Sequence, residues 1–217
     1  MPIRRMLFAA ALLSILPQAS AGAAILIEAR KHGESFRMVV DNGQQRALIT
    51  TPRGESLVDL RRGEIYVRGP SGVARKMRIE APARLAGSGY RVEPWGPGPV
   101  ISGHSTVYHV ITHGEDICAE MLVSGWMKPF VAPVVQALDL LEDLSGTPRG
   151  RGCERIPFAV YAAAGWPIMA GKIDHLTFET RNVEFDYQPR ERELAVPAHY
   201  ENGRPDRIVL EAFAPKP

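Results

Sequence analysis

Cysteine is almost missing from this chain: of 217 residues only Cys118 and Cys153 carry a thiol. Their separation rules out a C-x-x-C redox pair, a cysteine-rich zinc module and a disulfide-dense miniature scaffold. Long apolar runs are missing as well. The longest, Met6 to Leu16, falls well short of the ~20 residues a spanning helix needs, so a membrane-spanning chain is not expected. Neither sign of charge dominates, with 26 Lys and Arg against 24 Asp and Glu. A nucleic-acid binder would show a basic excess, so none is expected as a partner. The local basic spots Arg61-Arg62, Arg75-Lys76 and Arg149-Gly150-Arg151 read as turns and solvated strand edges.

Signatures of catalysis are equally scarce. There is no phosphate-cradling loop, no dinucleotide fingerprint and no H-E-x-x-H. Gly103-His104-Ser105-Thr106-Val107 starts like a G-x-S-x-G elbow, but Val107 stands where the last glycine belongs. A Pro/Gly stretch precedes it and a strand pattern follows, the reverse of the strand–turn–helix that an elbow requires. The histidines His32, His104, His109, His113, His175 and His199 lack metal-ligand spacing. A site built from His104, His109 and His113 is the weaker alternative. The chain is expected to be no enzyme, with no cofactor and no bound metal.

At the amino end, Arg4 and Arg5 precede the apolar core Met6–Leu16, then Pro17, and then the small-x-small patterns Ala19-Ser20-Ala21 and Ala21-Gly22-Ala23. This is the layout of a secretory signal peptide over residues 1–23, cleaved near residues 21–23. No cysteine lies there for lipid attachment. Removing Arg4 and Arg5 leaves 24 basic against 24 acidic residues. The expected product is a soluble periplasmic protein, with residues 24–217 forming a single domain. An even cysteine count in an oxidising compartment favours a disulfide between Cys118 and Cys153. It would close a loop of about 35 residues and stabilise the fold by roughly 3 to 4 kcal/mol. A pair of buried free thiols is the alternative.

From Ile25 onward the pattern is short strands and tight turns. Phe36, Met38 and Val40 alternate with Ser35, Arg37 and Val39, and Asn42-Gly43 then supplies a hairpin signal. Further strands read over 44–51, 56–60, 64–68 and 73–79. Residues 81–104, rich in proline and glycine and carrying Trp95, read as a long ordered loop. Strands return at 106–112 and 116–124, with Ile117, Ala119, Met121 and Val123 on one face. The period then changes: Val131, Val134, Val135, Leu138, Leu141 and Leu144 recur at helical spacing, starting near Pro129 or Pro133 and stopping at Gly146 and Pro148. Residues 156–162, 166–170, 172–179, 182–187 and 207–213 read as strands. A change of face around Arg181-Asn182 signals a bulge or sharp bend.

Two stretches carry a resemblance. Ile101-Ser102-Gly103-His104-Ser105-Thr106-Val107-Tyr108-His109-Val110 runs on into Gly114 to Ser124. Nearer the end lie Gly165-Trp166-Pro167-Ile168, Phe178 to Val183, and Val196-Pro197-Ala198-His199-Tyr200. Together with Leu57-Val58-Asp59-Leu60 and Ile65-Tyr66, these resemble a family of uncharacterised exported bacterial domains related to the periplasmic lipoprotein carriers LolA and LolB. His104, Met121 and His199 depart from that family's usual residues. The resemblance implies a mainly β fold with few helices: a curved antiparallel half-barrel covered by an amphipathic helix.

Such a half-barrel has one side that needs cover, and a ligand or a solid core can fill the space beneath it. The expectation is a non-enzymatic binding domain for a hydrophobic group, either a lipid or lipoprotein acyl chain or an apolar segment of an envelope protein. Face periodicity nominates Phe36, Met38, Ile117, Met121, Val134, Leu138 and Phe178 as its lining. The alternative is a structural or adaptor protein of the envelope, using sheet edges or Trp95.

Overall fold

In the computed structural model residues 24–79, 89–146, 152–154, 156–172 and 175–213 are described. The expected signal peptide, Pro82, Gly87, Arg149-Gly150-Arg151 and the tail 214–217 lie outside the described residues. The first six strands, β1 (Ala24–Lys31), β2 (Glu34–Asp41), β3 (Arg46–Thr51), β4 (Gly54–Asp59), β5 (Glu64–Arg68) and β6 (Ala74–Arg78), follow one another as hairpins. A second series contains β7 (Tyr90–Pro97), β8 (Val107–His113), β9 (Asp116–Ser124), β10 (Trp166–Lys172) and β11 (His175–Tyr187). β1 pairs with β11, which joins the two series. The result is one open antiparallel sheet in the order β6-β5-β4-β3-β2-β1-β11-β10-β9-β8-β7, and the short β12 (Glu201–Asn202) lies parallel to the outer edge of β6.

The described residues also form three α-helices: α1 (Lys128–Leu144), α2 (Phe158–Tyr161) and α3 (Arg207–Glu211). α1 carries Pro129 in its first turn, where a missing N–H costs nothing, and also tolerates Pro133 one turn later. Its buried stripe, Val131, Val134, Ala137, Leu138 and Leu141, rests on the inner face of β2 and β3. α3 touches β4 on one side of it, and α2 touches both β7 and β10 on the other. On a flat sheet β7 and β10 would lie about 14 Å apart, whereas one turn of helix is about 6 Å long. The sheet therefore curls around its helices, as a half-barrel.

Polar clasps hold the cover down. The Lys31 ammonium donates to Glu142 Oε1 at 2.6 Å, and Glu142 Oε2 accepts the Phe158 backbone N–H at 2.9 Å, so β1, α1 and α2 meet at one carboxylate. Trp166, fully buried, donates its indole N–H to Thr180 Oγ1 at 2.9 Å and packs edge-on to Phe158 and Phe178. Gly54 sits where φ is +146°, and a Cβ there would come within 2.5 Å of the Val209 side chain, so α3 docks only because that residue is glycine. Cys118 and Cys153 are disulfide-bonded with 4.6 Å between their Cα atoms, pinning the short 3-10 turn Gly152–Glu154 to β9.

Several expectations are corrected. Residues 156–162 and 207–213 contain α2 and α3 rather than strands. Pro157 pre-sets the entry to the first, and the Asp206 side chain accepts the Ile208 N–H to cap the second. Short apolar runs carry too few periods for spacing to separate strand from helix. The loop expected over 81–104 contains β7, Pro94 and Pro97 included. Among the described residues β7 lies at the end of the sheet and pairs only with β8, so a proline there need not break a ladder on both sides. The expected change of face is a bulge at Arg181: Ala29 pairs with Thr180 and Glu28 with Asn182.

Candidate functional site

Six of the seven nominated residues meet in one place. Phe36, Met38, Met121, Val134, Leu138 and Phe178 belong to a single cluster and are at most 6 % exposed. A cavity wide enough for an acyl chain would leave its lining open to a water-sized sphere, and these side chains are not. They are the packed interior of the fold, and the space beneath α1 is filled by the protein itself. Ile117 does not join them; it is 53 % exposed. The register slips between Ile111/Ala119 and Thr112/Ile117, leaving Cys118 as an extra residue in β9. That bulge turns Cys118 inward to its disulfide and Ile117 outward, so simple alternation fails there.

Open space lies on the other face. Beyond β11 the chain runs back across the outer side of β2–β5 as an irregular strap, residues 188–200. Leu194 and Val196 pack on a second apolar cluster there, formed by Leu26, Val39, Leu48, Leu57 and Tyr66. Strap and sheet border a half-open cavity of about 660 Å³. Cross-strand register builds its floor. Val39, Leu48, Leu57 and Tyr66 stand opposite one another across β2, β3, β4 and β5, forming an apolar row. Two residues along, Arg37, Thr50, Glu55 and Arg68 form a second, polar row over the same strands. The two rows are about 7 Å apart. Arg190, Arg192, Val196 and Pro197 line the cavity from the strap side.

The strap is latched through Glu193. Its Oε1 accepts from the Arg37 guanidinium at 2.6 Å, and its Oε2 accepts from the Tyr187 hydroxyl at 2.8 Å and the Arg190 backbone N–H at 2.9 Å. Burial alone would raise the Glu193 pKa, but the Arg190 N–H, the Tyr187 hydroxyl and Arg37 together outweigh it and hold the carboxyl below its ordinary 4.5. Burial raises the Tyr187 pKa, and its hydrogen bond to the Glu193 carboxylate raises it further. Arg68 pairs with Glu55 at 2.9 Å through Nη1, while its Nε is buried without an acceptor among the described residues.

The sequence reading missed this cavity, though a signal was present. Ala47-Leu48-Ile49, Leu57-Val58 and Ile65-Tyr66-Val67 are apolar on both strand faces, which says that both faces are covered. The histidines of the metal alternative go to separate partners. His104 stacks on Trp126, the His109 Nδ1 lies 3.1 Å from the Val107 carbonyl oxygen, and His113 packs against Tyr90. Among the described residues no group of three or more His, Cys, Asp or Glu is arranged to hold a metal ion. None of the helices among them is long and apolar enough to cross a membrane. Outside the cavity, the Tyr108 hydroxyl, hydrogen-bonded to Glu120, is pushed up to about 12.

No family model and no curated protein matches this chain. Among solved structures, PNGF-II in its C2 crystal form superposes over 89 % of this chain and 32 % of its own, with 10 % identity and a TM-score of 0.43. Its P21 form gives 10 % identity, 33 % coverage of PNGF-II and a TM-score of 0.42. The chain thus spans about a third of the length of PNGF-II.

Proposed function

We propose that the chain is an exported, periplasmic, non-enzymatic binding domain, and that its hydrophobic ligand lies between the strap and the outer face of β2–β5 rather than beneath α1. The observation that carries this reading is the cavity of about 660 Å³ over the row Leu48–Leu57–Tyr66. Its size falls within the range of small-molecule sites, roughly 300–1,000 Å³, and one of its walls is a segment without regular structure. The signal-peptide pattern and the resemblance to LolA and LolB support the same reading, in which the ligand is a lipid acyl chain or an apolar segment of an envelope partner.

The test is native mass spectrometry of the protein expressed with its leader, followed by exposure to vesicles carrying a fluorescent fatty acid. One equivalent of lipid should bind, and Val196→Trp, which fills the space from the strap side, should abolish it. A clean apo mass with no transfer from vesicles overturns the proposal.

A second reading, an envelope adaptor, is favoured by a specific surface. On the edge strand β7, Trp95 is 61 % exposed beside Tyr108, and a separate cluster of Trp126, Phe130, Phe185 and His104 lies at the other aromatic surface. Under this reading a periplasmic partner co-purifies with the native protein, is lost in Trp95→Ala, and is kept in Val196→Trp.

A further inference from the structure

We infer that the end of the sheet carrying Trp126 and Phe130 docks on the surface of an anionic lipid bilayer. This goes beyond the cavity under the strap and rests only on the exported reading of the chain. Trp126 and Phe130 are 47 % and 42 % exposed. They are not scattered: Trp126 lies 6.0 Å from Phe130 and 4.9 Å from Phe185 between ring centroids, and His104 stacks on it at 5.8 Å. His104 belongs to the tip of the β7–β8 hairpin, closed by the backbone pair Ile101–His104, where Val100 is also exposed. A contiguous apolar patch of this kind marks an interaction surface. Its frame is fixed. Met127, fully buried, anchors the turn between the two rings, and the Asn42 amide donates to the Phe130 carbonyl at 2.7 Å.

Charge and chain path together select a bilayer as the occupant. Lys128 lies between the two rings in sequence, and its ammonium donates to the Ala163 carbonyl at 2.6 Å. Arg61, on the β4–β5 turn, donates at 3.0 Å to the carbonyl of Gly43, the neighbour of Asn42. Each carbonyl accepts the hydrogen bond without cancelling the positive charge. The exposed acids Glu184 and Asp186 flank Phe185 on β11, and strand alternation sends them to the opposite face. Aromatic rings bordered by Lys and Arg suit the headgroup level of a membrane, and the cations favour anionic lipid. The path of the chain agrees. β1 starts at Ala24, which pairs with Tyr187, two residues on from Phe185, so residues 1–23 join the domain beside the patch. Those residues carry the apolar core Met6–Leu16, read above as part of a leader. A leader core lodged in the bilayer during export therefore delivers this end of the domain to the lipid surface.

The experiment mixes the protein, expressed with its leader and purified after processing, with vesicles of phosphatidylglycerol and phosphatidylethanolamine, or of phosphatidylcholine alone. Association, read by flotation, should be about 25-fold tighter for the anionic vesicles at moderate salt, because each of the two cations contributes about fivefold. Lys128→Gln combined with Arg61→Gln should remove that preference. Brominated acyl chains should quench the tryptophan fluorescence of the parent and of Trp95→Phe but not of Trp126→Phe, since Trp166 is buried. Thermal unfolding checks that the variants are folded. Equal association with both compositions, or none with either, overturns the inference. So does quenching that survives Trp126→Phe and is lost in Trp95→Phe, and so does a protein partner held through Trp126 in the absence of lipid binding. Val196→Trp, which fills the cavity, should float like the parent, so this inference and the cavity proposal fail separately.

Discussion

Replacing Glu193 with alanine should release the strap without unfolding the sheet. Three hydrogen bonds disappear together, from the Arg37 guanidinium, the Tyr187 hydroxyl and the Arg190 N–H. Bonds to a charged group contribute roughly 1.5–3 kcal/mol each when shielded. Arg37 is 32 % exposed, and an exposed partner is screened, which brings the set down to about 2 kcal/mol. That energy changes an opening equilibrium about 30-fold.

Hydrogen exchange followed by mass spectrometry reads this directly, because the Glu193 and Ala195 amides are held only by local bonds to Arg190 and Arg192. Peptides covering residues 190–196 should exchange about 30-fold faster in the variant, while peptides from β1 and β10 keep their protection. pH should reproduce the effect in the unmodified protein. The carboxyl's pKa is depressed in the folded state, so the latch contributes fully above 4.5 and is lost as pH falls through the lower folded value. After correction for intrinsic exchange, strap protection in the parent protein should therefore decline as pH falls below 4.5, and that of Glu193→Ala should not. Equal exchange of parent and variant at neutral pH would refute the latch.

Two further predictions concern stability. Converting both Cys118 and Cys153 to serine should lower stability by about 4 kcal/mol and Tm by about 10 °C, since the bond closes a separation of 35 residues; a Tm change of under about 3 °C would remove the disulfide from the account. Phe178→Ala should cost about 3–5 kcal/mol in urea unfolding and Ile117→Ala less than about 0.5, although sequence alternation places both on the lining face. Similar costs for the two would contradict the bulge at Cys118.

Sequence spacing reported what repeats and, except near Arg181, missed what interrupts. The hairpins over 34–68, the helix from Val131 to Leu144, the paired cysteines and the bulge near Arg181 were legible because each has a local cause: turn chemistry, a four-turn stripe, an even thiol count, a visible change of face. Ile117 was misplaced because one inserted residue in β9 shifts every neighbour's facing, and nothing in Asp116-Ile117-Cys118-Ala119 announces it. The 156–162 and 207–213 segments were misread because one helical turn and a four-residue strand share the same apolar spacing. The candidate site was least legible of all. Its floor comes from four strands placed side by side, and its roof from Glu193, 156 residues away from Arg37 in the chain.

The path of residues 188–213 has a kinetic consequence. Having crossed one side of the early meander, the chain turns around its rim at β12, where Glu201 pairs with Arg75, and finishes on the opposite side with Phe213 against Phe36. Neither greasy surface of that meander can be sealed until residues 188–213 have left the ribosome. Such late closure keeps the polypeptide pliable during synthesis, at the cost of slow, long-range ordering.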